Sequence, residues 1–389
     1  MDLDWILNHL GEERDRYFGA VAPPLMQSAI FSFPTVAAMR EQARDEFGHH
    51  FYTRGNNPTV EILRRKLAAL EGAEDCLVFA SGAAAIAAGV IAAVSAGDHV
   101  ACVQKPYSWT RHLLAELLPR FGVTASFVDA TEPAHIEAAL TPRTRLIVLE
   151  SPNSLTYELQ DLAAVAALAR ARGVRTLCDN SYASPLNQSP LAFGIDLVAH
   201  SATKYLNGHG DVMAGALCGP QALLREAFRG PFMTLGAIPS PHDAWLLLRG
   251  LRTLPLRMQR CAATAARVVA FLEAHPKIER VWYPHSPSHP QHALALRQMR
   301  GASGLLSVAI RCDDVCGVER FCDALRRFLL SVSWGGYESL ACPTAAFLPA
   351  ATRTTPKPGH VPANLVRLSI GLEEADVLIA DLAQALDKV

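Results

Sequence analysis

Hydrophobic positions fall along this chain in distinct textures. In NNPTVEILRRKLAALEG, Val60, Leu63, Leu67 and Leu70 recur at helical spacing on one face. Asn57 can cap that helix, Pro58 suits its first turn and Gly72 ends it. From Cys76 to Gly219 the pattern changes to short runs that are apolar on both faces: CLVFA, HVACV, TASFV, RLIVLE, RTLCD, DLVAHSA and AGALCG. Helical stretches such as Leu159 to Arg172 separate them. Runs of this kind joined by helices predict a largely parallel sheet covered on both sides. The apolar run GAAAIAAGVIAAV, Gly82 to Val94, is shorter than the roughly 20 residues that span a bilayer, and it predicts a buried helix.

After Gly230 the texture changes again. SPHDAWLLLRGLRTL opens a helix with a Ser-Pro start, and Pro255 is expected to kink or interrupt its continuation. Strand candidates RVWYP, LLSVAI and LVRLSIG follow, and EEADVLIADLAQALDKV closes the chain. The expected fold class is α/β, with a mostly parallel-sheet large domain over 57–240 and a smaller α+β domain over 241–389. An N-terminal arm, 1–56, precedes them and reads as irregular because Pro23, Pro24 and Pro34 break its periodicity. Residues 344–363, rich in Pro and Thr, are expected to form a loop.

Composition narrows the partners. Of 389 residues, 50% are hydrophobic and 19% charged, which fits a compact fold rather than a disordered chain. The formal charge is -1 and the basic residues are scattered, so no basic stripe offers a nucleic-acid footprint. A small-molecule substrate is expected, with no membrane partner. The start, MDLDWILNHLGEERD, carries acids where an export signal carries bases. Most cysteines stand alone in apolar runs, which suits reduced, packed thiols in a cytoplasmic protein. Cys312 and Cys316 have the wrong spacing for a zinc knuckle and no second pair nearby, so no metal is expected.

The candidate chemistry gathers at strand ends. In SATKYLNGHGD, Lys204 stands between Ser201 and Thr203 and a Gly-His-Gly turn, just after a predicted strand. Asp179 ends RTLCD, Glu150 ends RLIVLE, and Ser81-Gly82 follow CLVFA directly before a helix. Taken singly, a lysine after a strand is ordinarily a solvated surface residue, and a Ser-Gly before a helix is ordinarily only a cap. Ligands of such sheets bind at the carboxyl ends of the strands. No G-x-G-x-x-G follows the first strand, so a dinucleotide is not favoured. Together the residues suit a phosphorylated aromatic aldehyde with a ring nitrogen, namely pyridoxal 5'-phosphate. The helix start at Gly82, with Ser201 and Thr203, would receive the phosphate. Asp179 would pair with the ring nitrogen, Lys204 would form the imine, and Tyr107 in QKPYSWT could stack on the ring.

The stretches SATKYLNGHGD, YTRGNNPT, FASGAAA, CDNSYASP and VRLSIGLE resemble the signature stretches of the Cys/Met-metabolism family of pyridoxal-phosphate enzymes, from about residue 15 to the C-terminus. The resemblance implies the aspartate-aminotransferase-type fold (fold type I), usually a homotetramer built from two tight dimers. It implies that Lys204 carries the cofactor, Asp179 partners the ring nitrogen, and Tyr107 stacks and moves a proton. Gly82, Ala83, Ser201 and Thr203 match phosphate contacts, and Tyr52 and Arg54 match a pair that reaches the neighbouring subunit's phosphate. Arg367 matches the arginine that grips the substrate α-carboxylate, with Ser333 and Trp334 beside it. Where many relatives read Glu-Thr-Pro-Thr-Asn-Pro this chain has ESPNSL, so the polar contact falls either to Asn153 or to Ser154.

For the reaction, Trp334 in SWGGYES resembles bacterial cystathionine β-lyases and implies Cβ–S cleavage, giving homocysteine, pyruvate and ammonia. Val332 resembles methionine γ-lyases instead, yet Ser108 and Trp109 stand where those carry a cysteine after the tyrosine. The expected activity is therefore carbon–sulfur lysis by a cystathionine β-lyase. The alternatives are γ-elimination of the cystathionine γ-lyase or methionine γ-lyase type and γ-replacement of the cystathionine γ-synthase type. A module that keeps the cofactor but has lost catalysis is disfavoured, because Lys204, Asp179, Tyr107 and Arg367 are all present.

Overall fold

The computed structural model describes residues 1–312, 315–347 and 361–389. Seven strands form one sheet: β1 Asp75–Phe79, β2 His99–Val103, β3 Thr124–Val128, β4 Thr144–Glu150, β5 Arg175–Asp179, β6 Leu197–Ser201 and β7 Gly215–Gly219. They lie in the order β1-β7-β6-β5-β4-β2-β3. Every pair is parallel except those of β7, which runs against both β1 and β6. Apart from the edge strand β3, which is only partly buried, the apolar runs of the sequence are strands buried on both faces, as a helix-covered sheet requires. The reversed direction of β7 folds the chain back on itself at one sheet edge. β6 ends at Ser201, the chain turns through 202–214, and β7 returns with Gly215 opposite Ser201. Lys204 sits in that turn.

The second sheet holds β8 Ile278–Trp282, β9 Leu305–Ile310, β10 Leu329–Leu330, β11 Leu340–Pro343 and β12 Leu365–Ser369, in the order β10-β11-β12-β9-β8. Helices Leu254–Ala274 and Ala375–Leu386 bring Val268, Leu272, Leu378 and Leu382 onto Leu306, Val308, Val366 and Leu368 of this sheet. Arg367 lies on β12, between Cys342 and Ser307 in register.

Local structure differs from the expectations at Leu159 and in the arm. The helix expected from Leu159 begins at Leu162 with Asp161 as its cap, Oδ1 accepting from Ala164 N–H at 3.0 Å. Leu159 belongs instead to a buried loop beside Tyr157 and Tyr182. At Pro255 the expected interruption is present: Pro241–Leu251 ends, and Pro255 lies in the first turn of a new helix, Leu254–Ala274. The arm contains helices at Leu3–Asn8 and Val36–Ala43, capped by Asp2 and Thr35. It is anchored by Lys66, whose buried Nζ donates to Ile6 O at 2.9 Å and Leu7 O at 3.0 Å and pairs with Glu12 at 3.1 Å. Most of the expected loop 344–363 lies outside the described residues, although Thr344–Phe347 form a short 3-10 turn. No described helix is long and apolar enough to cross a membrane. The described residues hold no His, Cys, Asp and Glu cluster able to bind a metal ion.

Candidate active site

Because β7 is reversed, β1, β4, β5 and β6 all finish at one edge of the large sheet. They deliver Ser81-Gly82, Glu150, Asp179 and Ser201 to that edge. Ser81 caps helix Gly82–Ala93, its Oγ accepting from Ala84 N–H at 3.1 Å. The N–H groups of Gly82 and Ala83 have no acceptor inside the helix, and the positive end of its dipole lies with them. Approach is very close here. A Cβ on Gly82 would stand 2.7 Å from Ser201 Cα, and one on Gly215 would stand 2.1 Å from Ser81 O. Glycine at both positions lets the helix start meet the end of β6. Free N–H groups beside a serine hydroxyl suit a phosphate. Thr203 is nearby in sequence, but its Oγ1 accepts from Ala214 N–H at 3.0 Å and so also pins the turn that carries Lys204.

Lys204 Nζ donates to Ser333 Oγ at 2.5 Å and lies 5.5 Å from the centre of the Trp334 ring. Ser333 has φ 74°, in the left-handed region that a non-glycine residue rarely adopts. That bend turns its carbonyl to Arg367, whose Nη2 donates to it at 2.8 Å. Trp334 packs on Tyr205 with ring centres 5.4 Å apart. Burial, then the Arg367 charge, lowers the Lys204 ammonium to about 8, against the pull of Asp179. A substantial fraction of the amine is therefore neutral, and nucleophilic, near neutral pH. Reaction of the cofactor-free protein with pyridoxal phosphate is expected to quicken as pH rises through about 8 and then level off. Stopped-flow absorbance checks this; a rate that keeps climbing toward pH 10 would mean an unperturbed lysine.

Asp179 accepts from both Ser181 N–H at 2.9 Å and Ser181 Oγ–H at 2.6 Å. Burial raises its carboxyl, opposed by these two bonds and by the charges of His200 and Lys204. Ser181 is not among the residues expected from sequence, although an Asp with a hydroxyl residue two places on is a common turn signal. Glu150, in register beside Asp179, reads in the sequence only as a strand end. It joins two loops of the site: Oε2 accepts from Tyr107 N–H at 2.6 Å and Oε1 from Ser154 Oγ at 2.6 Å. Burial and the adjacent Asp179 push its own carboxyl up. Tyr107, half-exposed, has its hydroxyl raised by burial and by Asp179 and Glu150, opposed by Arg367. It stays protonated and can donate.

Two groups of expected residues stand apart. Asn153 is buried, with Oδ1 accepting from Glu158 N–H at 3.1 Å, and it lines a separate cavity of about 460 Å³ with Lys105, Glu158 and Trp282. Ser154, through Glu150, is the one tied to the Tyr107 cluster. The guanidinium of Arg54 lies 5.2 Å from the centre of the Tyr52 ring. Neither residue hydrogen-bonds to Lys204, Asp179, Ser201 or Tyr107 within the described residues of one chain.

Residues 5–387 match the sequence profile described as Cys/Met metabolism PLP-dependent enzyme. The chain belongs to this family. It is 41% identical to the L-methionine γ-lyase of Pseudomonas putida over 381 residues, covering 97% of this chain and 95% of that protein. It is 40% identical to the cystathionine γ-synthase of Mycobacterium tuberculosis over 378 residues, again 97% of this chain and 95% of the other. The crystal structure of metB from Corynebacterium glutamicum superposes with a TM-score of 0.92 at 33% identity, covering 100% of this chain and 98% of that one. The α/β fold, the enzyme class and the dependence on pyridoxal phosphate follow from this membership. The observed groups fit the cofactor: a part-buried amine of lowered basicity, a part-buried acid and a glycine-lined helix start converge on one sheet edge.

Proposed function

We propose that this enzyme breaks the Cγ–S bond of a sulfur amino acid, releasing 2-oxobutyrate, ammonia and a thiol. The observation that carries this reading is the near-full-length similarity, at 40–41% identity, to proteins named for γ-chemistry. The expected β-elimination yields to it. That expectation leaned on Trp334 as a wall limiting the substrate side chain, yet the ring is packed on Tyr205 and toward Lys204 Nζ. In that position it supports the lysine and does not choose between bonds. A second reading, γ-replacement, is favoured by the similarity to a cystathionine γ-synthase.

Bound pyridoxal phosphate supplies an electron sink conjugated to the substrate Cα. We assign its holding to Lys204, to Asp179 at the ring nitrogen, to Gly82, Ala83, Ser201 and Thr203 at the phosphate, and to Tyr107 on the ring face. The fork of Arg367, steadied by Ser333 O, would grip the α-carboxylate. Freed Lys204 would take the Cα proton on Nζ and then work at Cβ, which γ-chemistry requires and β-chemistry does not. Ser333 Oγ and the Trp334 ring would hold the resulting ammonium. The protonated Tyr107 hydroxyl would donate to the departing sulfur.

The test is to supply L-methionine and L-cystathionine separately and identify the keto acid. We expect 2-oxobutyrate from both. Pyruvate from cystathionine would restore β-elimination, and product formed only from an activated homoserine ester with cysteine would favour γ-replacement.

Among the described residues, the Tyr52 and Arg54 side chains meet each other and hydrogen-bond to none of the cofactor-site residues, so we assign them to a neighbouring subunit's phosphate site in a homotetramer. Arg54→Ala is expected to weaken cofactor retention. Mixed oligomers of Arg54→Ala and Lys204→Ala chains should regain up to about a quarter of wild-type activity, because some sites then hold both intact residues. Verified mixed oligomers with no recovery would refute a shared site.

A further inference from the structure

The cavity beside Asn153 carries no part of the proposed reaction. Its volume is about 460 Å³, and it lies where β2, β3 and β4 end. In the strand order β3-β2-β4-β5, the chain leaves β2 toward β3 on one side and leaves β4 toward β5 on the other. The crevice between the ends of β2 and β4 is therefore a point where the winding of the sheet reverses, and such points take ligands. The groups assigned to the cofactor end β1, β4, β5 and β6; this cavity lies toward the opposite edge, with Val103, Lys105, Val128 and Asp129 in its lining.

Its walls differ in character. The loop after β3 supplies the carboxylates of Asp129 and Glu132. Asp129 is engaged by Thr131, whereas the Glu132 side chain has no hydrogen bond or ion pair among the described residues. The second sheet and the loop beyond it supply Arg280, Trp282 and His289. The Arg280 guanidinium lies 4.9 Å from the centre of the Trp282 ring and makes no hydrogen bond or ion pair among the described residues. His289 is 5% exposed, and its Nδ1 accepts from Gln291 N–H at 3.1 Å. The ring proton is thus on Nε2, for which the described residues offer no acceptor. Burial, against the pull of Glu158, lowers this imidazole to about 4, so it is a neutral donor. Between the two walls, Lys105 Nζ donates to Glu158 Oε1 at 2.7 Å. Gln160 is also buried in the lining, and its Oε1 has no partner among the described residues.

These unspent groups select a ligand class. Asp129, Glu132 and Glu158 outnumber Lys105 and Arg280, which disfavours a phosphate or another polyanion. A ligand that is only a cation would leave the donors of Arg280 and His289 facing it. A molecule with an anionic acceptor at one end and a cationic donor at the other satisfies both walls, and its body can lie along the Trp282 ring. The volume is within the range of small-molecule sites, roughly 300 to 1,000 Å³.

We propose that this cavity is an accessory site for a free α-amino acid, held between the two sheets and separate from the cofactor. The carboxylate faces Arg280 and His289, and the ammonium faces the carboxylates after β3. The site does not depend on which bond the enzyme breaks.

The test uses holoenzyme reduced with borohydride, in which Lys204 is fixed to the cofactor as a secondary amine that no amino acid displaces. Calorimetric titration with L-methionine and, separately, with L-glutamine then reads binding away from the imine. At least one should bind; binding by methionine alone identifies the substrate class as the occupant, and binding by glutamine identifies a broader amino-acid site. Arg280→Ala, at an exposed position, should weaken that binding roughly tenfold, the effect of one charge-assisted hydrogen bond. Thr131→Trp, which puts an indole in the lining, should abolish it. Arg367→Ala, which alters the cofactor site, should leave it unchanged. The decarboxylated and deaminated analogues of the bound amino acid should each bind at least about tenfold more weakly. A thermal midpoint checks the fold of each variant. No binding by either amino acid overturns the inference, as does binding that Arg367→Ala removes and Arg280→Ala and Thr131→Trp leave intact. An analogue that binds as tightly as the amino acid overturns the assigned ligand class.

Discussion

Lys204→Ala is expected to lose the visible absorbance band that borohydride removes, and to retain less than about one ten-thousandth of wild-type turnover. A single positioned proton carrier contributes roughly 10²- to 10⁴-fold, and this residue is also the point of covalent attachment. Among the described residues, the other two lysines of the first 240 positions are already engaged: Lys66 with Ile6, Leu7 and Glu12, and Lys105 with Glu158 at 2.7 Å. The fold should survive, because among the described residues the polar and ring contacts of Nζ are to Ser333 Oγ and the Trp334 face, and an alanine there leaves Tyr205 packed as before. A variant with both the band and normal turnover would remove the foundation of the proposed mechanism.

Asp179→Asn should lower kcat by roughly two to four orders of magnitude while leaving the protein folded. The amide oxygen can still accept from Ser181 N–H and Oγ–H, so the turn closes as in the wild type. What is lost is the negative charge that keeps a proton on the ring nitrogen, and with it the electron sink. Cofactor affinity should fall as well, since a hydrogen bond involving a charged group is worth about 1.5 to 3 kcal/mol. Steady-state kinetics with saturating cofactor separates the two effects. A kcat within a few-fold of wild type would show that Asp179 does not govern the ring.

The inner strands of the large sheet are readable because they are buried on both faces and so appear as largely apolar runs; only the edge strand β3 is partly exposed. Periodicity carries no direction, however, and the reversal of β7 between β1 and β6 cannot be read from AGALCG. Leu159 misleads because a buried loop residue, packed with Tyr157 and Tyr182, looks like the apolar face of a helix. The arm helix Val36–Ala43 has no buried residue, so no apolar stripe announces it. At the site, Lys204, Asp179, Tyr107, Gly82 and Ser201 stand out because each lies at or just beyond the end of a strand. Glu150 as a bridge between the Tyr107 and Ser154 loops, and the cavity at the ends of β2, β3 and β4, require three dimensions. The choice of bond is not legible, because the indole of Trp334 meets the lysine and Tyr205, and these contacts serve β- and γ-elimination alike.

The central claim is that Lys204 in the turn between β6 and β7 carries the cofactor. It is tested most directly by reducing the holoenzyme with borohydride, digesting with trypsin and locating the pyridoxyl label. Cleavage after Lys204 should be blocked, so the label should appear on one peptide running from Thr176 to Arg225. The same digest of unreduced protein should yield two peptides that meet at Lys204. A label on Lys66, Lys105, Lys277, Lys357 or Lys388, with Lys204 cleaved normally, would contradict the account.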